Sequence, residues 1–180
     1  MTAAIEGRSR EHSAGGGLHL VRWNCSSGSN AQSRAAVVIE SGEHRWQATT
    51  KGTGPVDALF RAVDDSLRRV LDGHPRLLAY DVHAVAQGPD AQGKVTVTIA
   101  PPDSAAGERA KGTYDGVAQG SNIIEASVQA YMMAIDAMLA ERHWQDATES
   151  GGNRRGAALP AAPTTEVDKE ADPDTSRWWE

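Results

Sequence analysis

An α+β fold built from a duplicated three-strand-plus-helix unit (βββα) is the fold class that the sequence predicts. Three observations lead to this prediction. The sequence repeats itself, each repeat contains short runs typical of strands, and each repeat ends in one long amphipathic segment. Three strands and one helix per half, present twice, make two pseudo-symmetric halves in which each helix packs against a sheet.

The repeat is visible at two offsets. Residues 46–71 align with 114–139 at an offset of 68, so that Gly52-Thr53-Gly54 falls on Gly120-Ser121-Asn122. Residues 18–39 align with 78–99 at an offset of 60. The difference of eight residues corresponds to the loop 101–108. Self-similarity of this kind indicates the architecture before any single element is assigned.

The first half is predicted to contain strands at 18–26, 34–41 and 44–50, since short apolar or β-branched runs there are separated by glycine-containing turns. A helix should follow, because Pro55 suits the first helical position after Gly54 as the cap. Gly73 and Pro75 are expected to end it. Its apolar residues keep a 3.6-residue period: Val56, Leu59, Phe60, Val63, Leu67, Val70 and Leu71.

The second half repeats this order. Strands are predicted at 77–87, 94–100 and 108–115, the middle one from the clean alternation of Val95, Val97 and Ile99. Asn122 and Glu125 have the spacing of a capping box, which predicts the start of the second helix. The apolar stripe of that helix consists of Ile124, Val128, Tyr131, Ile135, Met138 and Leu139.

The predicted domain covers residues 18–147, with its halves at 18–73 and 77–142. Residues 1–17 carry Gly15-Gly16-Gly17 and almost no large apolar side chain, and residues 148–180 are rich in Gly, Ala, Pro and acidic groups. Both segments are predicted to be disordered tails, because they bury too little apolar surface to offset chain entropy. Trp178 and Trp179 are unusual for such a tail. Variation in an unstructured segment is the simpler explanation, and docking is the alternative.

Charge and cysteine usage narrow the class of protein. The net charge is -6 and the Lys and Arg residues are scattered along the chain, so we expect no nucleic-acid partner. Cys25 is the single cysteine, and no charged-then-apolar leader or transmembrane run is evident, so we expect a cytoplasmic protein with no membrane contact.

Catalytic and metal-binding patterns are not found. The six histidines, at positions 12, 19, 44, 74, 83 and 143, have no ligand spacing and are expected to be solvated. Cys25 has no accompanying His and acid in a recognisable motif, and is expected to be a small strand residue. Asp64 and Asp65 are assigned to the solvated face of the first helix. We therefore expect no metal, no cofactor and no catalytic residues.

The two helix starts are the places where chemistry is most plausible. A helix start presents unpaired backbone N–H groups and a partial positive charge, which suit a carboxylate such as that of a free amino acid. Ordinary capping explains either start without a ligand. Two related, glycine-preceded starts make a ligand more plausible than one would.

Several motifs together resemble the C-terminal regulatory domain of 2-isopropylmalate synthases, and the related citramalate synthases share it. The resemblance covers both halves, about 125 residues, in matching order. The motifs are Ser27-Gly28-Ser29, Gly52-Thr53-Gly54-Pro55-Val56-Asp57-Ala58, Tyr80-Asp81-Val82, Gly88-Pro89-Asp90-Ala91-Gln92-Gly93, Tyr114-Asp115-Gly116 and Ser121-Asn122-Ile123-Ile124-Glu125-Ala126-Ser127.

This resemblance implies a binding site for a feedback amino acid, usually leucine, held between the two units and close to a homodimer interface. The residues implied to line the pocket are Thr53, Gly54, Pro55, Val56, Leu77, Tyr80, Ala84, Ala91 and Gly93. The small residues among them would leave room for a branched side chain, and the helix start would take the carboxylate.

The catalytic barrel of that family needs far more chain than 180 residues allow. We therefore predict a non-catalytic, branched-chain amino-acid-binding domain that controls a separate synthase-type enzyme of leucine biosynthesis in trans. Two alternatives stay open: a homodimerising structural module with a vestigial pocket, and the regulatory subunit of a split 2-isopropylmalate or citramalate synthase.

Overall fold

The computed structural model describes residues 17–85, 88 and 91–151. Residues 1–16 and 152–180, which make up nearly all of the two predicted tails and include Trp178 and Trp179, lie outside the described residues. The described part has the predicted architecture of two βββα halves, which confirms the α+β fold class.

The first half consists of β1 (His19–Gly28), β2 (Ala31–Ser41), β3 (His44–Gly52) and α1 (Pro55–Leu71). The strands are antiparallel in the order β1-β2-β3, and Gly42 turns the chain between β2 and β3 at a φ of 55°. Gly54 caps α1 and Pro55 is its first residue, as predicted. The helix ends at Leu71, and Asp72, its C-cap, adopts the left-handed conformation immediately before Gly73.

The second half consists of β4 (Arg76–Ala84), β5 (Gly93–Ala100), β6 (Tyr114–Gly120) and α2 (Ile123–Leu139), with strand order β4-β5-β6. The predicted third strand at 108–115 is wrong in position. Residues Gly107–Ala110 form a short 3-10 helix, and the strand begins only at Tyr114. Gly107 and Gly112 have positive φ values of 64° and 97°, and these interrupt an extended path before Tyr114.

Each helix covers the inner face of the last two strands of its own sheet. The alternating residues Val37 and Ile39 of β2, and Val95 and Val97 of β5, are fully or almost fully buried beneath them. The helices also contact each other, and the ring of Phe60 stacks on that of Tyr131 with centroids 4.2 Å apart. One continuous apolar core therefore joins the two halves.

The first strand of each half extends beyond its helix, and β4 is the more open of the two. Every residue of β4 is exposed, and Leu77, Leu78 and Val82 leave 47, 52 and 42% of their surface accessible. In β1, Leu20, Trp23 and other residues that face the core are partly buried. Among the described residues, β4 is thus the edge strand that leaves more of its apolar side chains exposed.

The segment that follows α2 returns to the first half. A short 3-10 helix (Arg142–Trp144) and a four-residue helix (Ala147–Ser150) bring Gly151 against α1, where its carbonyl accepts a hydrogen bond of 3.3 Å from Trp46 Nε1. Trp144 is 1% exposed. Packing therefore continues through Gly151, beyond the predicted boundary at 147.

No single helix in the described ranges is long and apolar enough to cross a membrane. The one pair of neighbouring helical segments that reaches the necessary length and composition, Ile123–Leu139 with Arg142–Ser150, is bent by 94°.

Candidate ligand site

The start of α1 is capped by backbone alone. Gly54 has an extended backbone with φ of -152°, and among the described residues no side chain caps the helix. Pro55 has no N–H, and the first helical hydrogen bond is donated by the Ala58 N–H to the Gly54 carbonyl at 2.9 Å. The N–H groups of Val56 and Asp57 precede that bond and receive no side-chain cap. Their donors are oriented for a carboxylate or water.

Asp57 tightens the turn that leads into α1. Its carboxylate accepts hydrogen bonds from the Thr53 backbone N–H at 2.9 Å and from Arg61 Nε at 3.0 Å. Partial burial acts to raise the pKa of Asp57, but the hydrogen bonds from Thr53 and the nearby Arg61 charge outweigh it, so this pKa lies below its ordinary value. Because the Thr53 donor is already engaged, the free donors of this site lie further into the helix.

The start of α2 differs in its cap. The side chain of Asn122 accepts hydrogen bonds from the N–H groups of Ile124 at 3.2 Å and of Glu125 at 3.3 Å, as the capping prediction requires. A cleft of about 220 Å³ opens beside it and is lined in part by Gln119 and Gln129. The N–H groups of α2 that are equivalent to the uncapped donors of α1 are therefore already hydrogen-bonded.

Tyr80, on β4, is held by residues from both helices. Its hydroxyl lies 2.8 Å from Ser127 Oγ, and Ser127 in turn donates to the Ile123 carbonyl at 2.6 Å. Since Ser127 has a single proton, the Tyr80 hydroxyl is the donor between them. The Tyr80 ring meets Phe60 edge-on at 6.0 Å. Tyr80 is therefore oriented while 37% of it remains exposed.

The remaining predicted residues lie around the β4–β5 connection. Ala84 pairs with Gly93 across the two strands, and Ala91 is half-buried. A Cβ on Gly93 would collide with Ile123, so this glycine allows the start of α2 to approach the sheet. Gly93 thus lies beside the start of α2, while Gly54 lies at the start of α1.

The structure brings the nine predicted residues together as two groups. The first is Thr53, Gly54, Pro55 and Val56, at the start of α1, where Cys25 Sγ of β1 lies 3.7 Å from the Pro55 carbonyl oxygen. The second is Leu77, Tyr80, Ala84, Ala91 and Gly93, on sheet β4-β5-β6 and its β4–β5 connection. Within the described residues, no hydrogen bond or ring contact connects one group with the other.

The sequence analysis missed a buried polar contact between the halves. Tyr131 on α2 donates a 2.6 Å hydrogen bond to Asp64 on α1, and His74 Nδ1 lies 3.7 Å from the other carboxylate oxygen. Burial is the main cause that raises the pKa of Asp64 to about 6. The assignment of Asp64 to a solvated face was wrong, because this residue lies one helical turn after Phe60 and faces α2.

His44 was also assigned incorrectly to solvent. It is 4% exposed, stacks on Trp46 and lies 3.1 Å from a Glu149 carboxylate oxygen. Among the residues that the structure describes, no three His, Cys, Asp or Glu side chains are grouped so that they could hold a metal ion.

The fold and its two unequal helix starts define a duplicated α+β domain of two βββα halves. The family described as the LeuA allosteric (dimerisation) domain matches residues 3–139, and the chain belongs to this family.

Three similar curated proteins are named 2-isopropylmalate synthase. That of Sediminispirochaeta smaragdinae is 33% identical over 120 residues, which are 67% of this chain and 21% of the relative. That of Thermosynechococcus vestitus is 38% identical over 121 residues, 66% of this chain and 20% of the relative. That of a Nostoc species is 34% identical over 131 residues, 72% of this chain and 22% of the relative. The chain spans about a fifth of the length of these relatives.

Proposed function

We propose that this chain is a non-catalytic regulatory domain that binds a branched-chain amino acid, leucine first, acts as a homodimer and controls a separate 2-isopropylmalate synthase-type enzyme in trans. The family match supports the regulatory and dimerisation roles. The name of the relatives supports a place in leucine biosynthesis. The free thiol of Cys25 is compatible with the reducing cytoplasm where we place the protein.

The observation that carries the proposal is the open start of α1. A ligand carboxylate would accept the N–H groups of Val56 and Asp57 and would be stabilised by the helix dipole. Gly54 has nothing within 4 Å of the place where a Cβ would stand, so there is space beside these donors. The equivalent donors of α2 are used by Asn122, which favours one carboxylate site per chain over two.

The apolar half of the ligand would contact Leu77 and Tyr80. These residues belong to β4, whose exposed apolar side chains make it a suitable edge for a second copy. In this proposal a second copy of the chain completes the pocket. One chain alone would leave it open, because the two groups of pocket residues share no hydrogen bond in the described part. The ligand site and the dimer interface would therefore be physically linked.

Calorimetric titration of the 180-residue protein with leucine, isoleucine and valine tests the ligand. We expect saturable binding of one of them and its loss in Gly54→Leu, which fills the space beside the donors without backbone strain. Gly28→Leu is the matched control, since Gly28 also has nothing within 4 Å. Equal affinity in the wild type and Gly54→Leu would contradict the site.

Analytical ultracentrifugation tests the dimer. We expect Leu78→Lys to raise the dimer dissociation constant by roughly tenfold or more, because a charge would enter an apolar contact. Val117→Lys is the control, since Val117 is also exposed, at 43%, but lies on β6. A wild-type protein that is monomeric at micromolar concentration would overturn the proposed dimer.

A homodimerising structural module is the second candidate. The separation of the nine predicted residues into two groups favours it, because a vestigial pocket needs no convergence of those residues. Dimerisation without saturable binding of leucine, isoleucine or valine would select this function.

A further inference from the structure

The outer face of sheet β1-β2-β3 gathers positive charge. Side chains alternate across a strand, and the buried residues of β2 face α1. The strand register therefore places Arg22, Arg34, Arg45 and Lys51 on the opposite face, together with a single carboxylate, Glu40. Residues that are scattered in the sequence form one basic surface in a chain of net charge -6.

The charges on this basic face are poorly compensated. Arg34 and Lys51 stand directly opposite each other on β2 and β3, an arrangement of like charges that costs stability. Arg45 lies 3.7 Å from Glu40. Within the described ranges, no carboxylate lies within 4 Å of Arg22, Arg34 or Lys51. A complementary acidic group would relieve this repulsion.

The described part of the second half has no equivalent surface. Lys94 occupies the repeat position of Arg34, and its partner across the strands is Gln119, which occupies the repeat position of Lys51. The like-charge pair is therefore present in only one of two otherwise similar sheets. The sheet architecture itself does not require it.

The chain carries an acidic segment beyond the last described residue, Gly151. The Gly151 carbonyl accepts a hydrogen bond from Trp46 on the edge strand β3, on the face that α1 covers, so the connection must pass around this edge to reach the basic face. The segment 166–174 contains five carboxylates and one lysine. A connection of 14 residues with random-coil dimensions would span roughly 20 Å, which is enough to pass around the edge of a sheet whose three strands are about 10 Å wide.

We propose that the acidic segment 166–174 docks on the basic outer face of sheet β1-β2-β3 in the same chain. Its carboxylates pair with Arg22, Arg34 and Lys51, and the short connection from Gly151 keeps the local concentration of the segment high enough for weak ion pairs to form. This contact is independent of effector binding at α1.

Backbone amide NMR spectra of the 180-residue chain test the docking. The comparison protein keeps the full length but carries Glu166→Gln, Asp168→Asn, Glu170→Gln, Asp172→Asn and Asp174→Asn. We expect the amide signals of Arg34, Lys51 and their neighbours to differ between the two proteins at about 50 mM salt. The difference should disappear at about 0.5 M salt, where exposed charges are screened.

Charge reversal on the sheet supplies the matched control. Arg34→Glu with Lys51→Glu should remove the difference between the charged and neutralised segments, whereas Lys94→Glu, at the repeat position of Arg34, should leave it intact. Unchanged signals of the buried Val37 and Ile39 report that the variants are folded. Identical spectra at low salt would overturn the proposal. A difference that disappears on dilution would also overturn it, because the segment would then contact a second copy of the chain.

Discussion

The two helix starts occupy equivalent positions in the repeat and differ in how they are closed. Gly54 in the first half corresponds to Asn122 in the second, and only the second provides a side-chain cap. Gly52 corresponds to Gly120, but a Cβ on Gly52 would stand 2.7 Å from Ala58 Cα, whereas on Gly120 it would meet nothing closer than 3.9 Å. The first helix is packed more tightly against its strand yet has open donors.

The middles of the two helices differ as well. Asp64 of α1 corresponds to Met132 of α2, and Val63 corresponds to Tyr131. All four are buried. Of these, Tyr131 and Asp64 contact each other, through the 2.6 Å hydrogen bond between the halves. The duplication has kept the backbone path while the polar chemistry has become asymmetric. Variants that exchange or remove these differences show how much each contributes.

The largest expected effect comes from Asp64. Its pKa is raised to about 6 from an ordinary value of 3.8, so the folded protein binds a proton that the unfolded chain releases between these values. Stability should therefore fall as pH rises from about 4 to about 6, by about 3 kcal/mol in total. Asp64→Asn keeps an acceptor for Tyr131 and should remove most of this slope.

Urea denaturation at a series of pH values measures the effect of Asp64. Asp103→Asn is the control, because Asp103 is an exposed aspartate that pairs with Arg76 and does not act on the pKa of Asp64. The free energy of unfolding should be compared between pH 4 and pH 6 in the wild type and in Asp64→Asn. The same change in both proteins would show that carboxyl groups other than Asp64 determine the pH dependence.

A smaller effect is expected from alanine at the paired glycines. Gly52→Ala should destabilise the protein by about 1–3 kcal/mol, because the new methyl group collides with the first turn of α1. Gly120→Ala should be close to neutral, since its surroundings are open. Thermal denaturation followed by circular dichroism compares the two variants. Equal losses would mean that the two helix starts are packed alike.

The smallest effect is expected from exchanging the caps. Asn122→Ala should cost about 1 kcal/mol through loss of the two capping bonds, and Gly54→Asn should gain a few tenths by adding them. The same Gly54→Asn change should weaken amino-acid binding, because the new side chain would compete for the donors of α1. A urea midpoint that rises while affinity is unchanged would place the ligand elsewhere.

Most of the fold could be predicted because its signals are local. The apolar period of each helix, Pro55 after Gly54 and the capping spacing of Asn122 all act within a few residues, and the structure confirms them. The misplaced third strand of the second half has an instructive cause. The offset of 68 maps β3, at 44–52, to 112–120, which contains the observed Tyr114–Gly120. The repeat was therefore the better guide than the local run at 108–115.

The candidate site was predictable only in part. The open start of α1 follows from Gly54 and Pro55, but the setting of Tyr80 depends on Ser127 and Phe60, which come from other elements. Burial of Asp64 depends on Tyr131, 67 residues away. A local pattern does not contain such partners, so polar residues next to an apolar stripe were assigned to solvent.

The return of the final segment to the first half has a consequence for how the protein is made. Trp46 receives its partner, the Gly151 carbonyl, from 105 residues further along the chain. At a synthesis rate of roughly 5–20 residues per second, about 5–20 s pass between the two. Until residue 151 is made, the nascent first half lacks the segment that packs on Trp46 and on the end of α1 at Arg69 and Val70. The first half therefore cannot complete its packing before the second half has been synthesised, although it has its own sheet and helix.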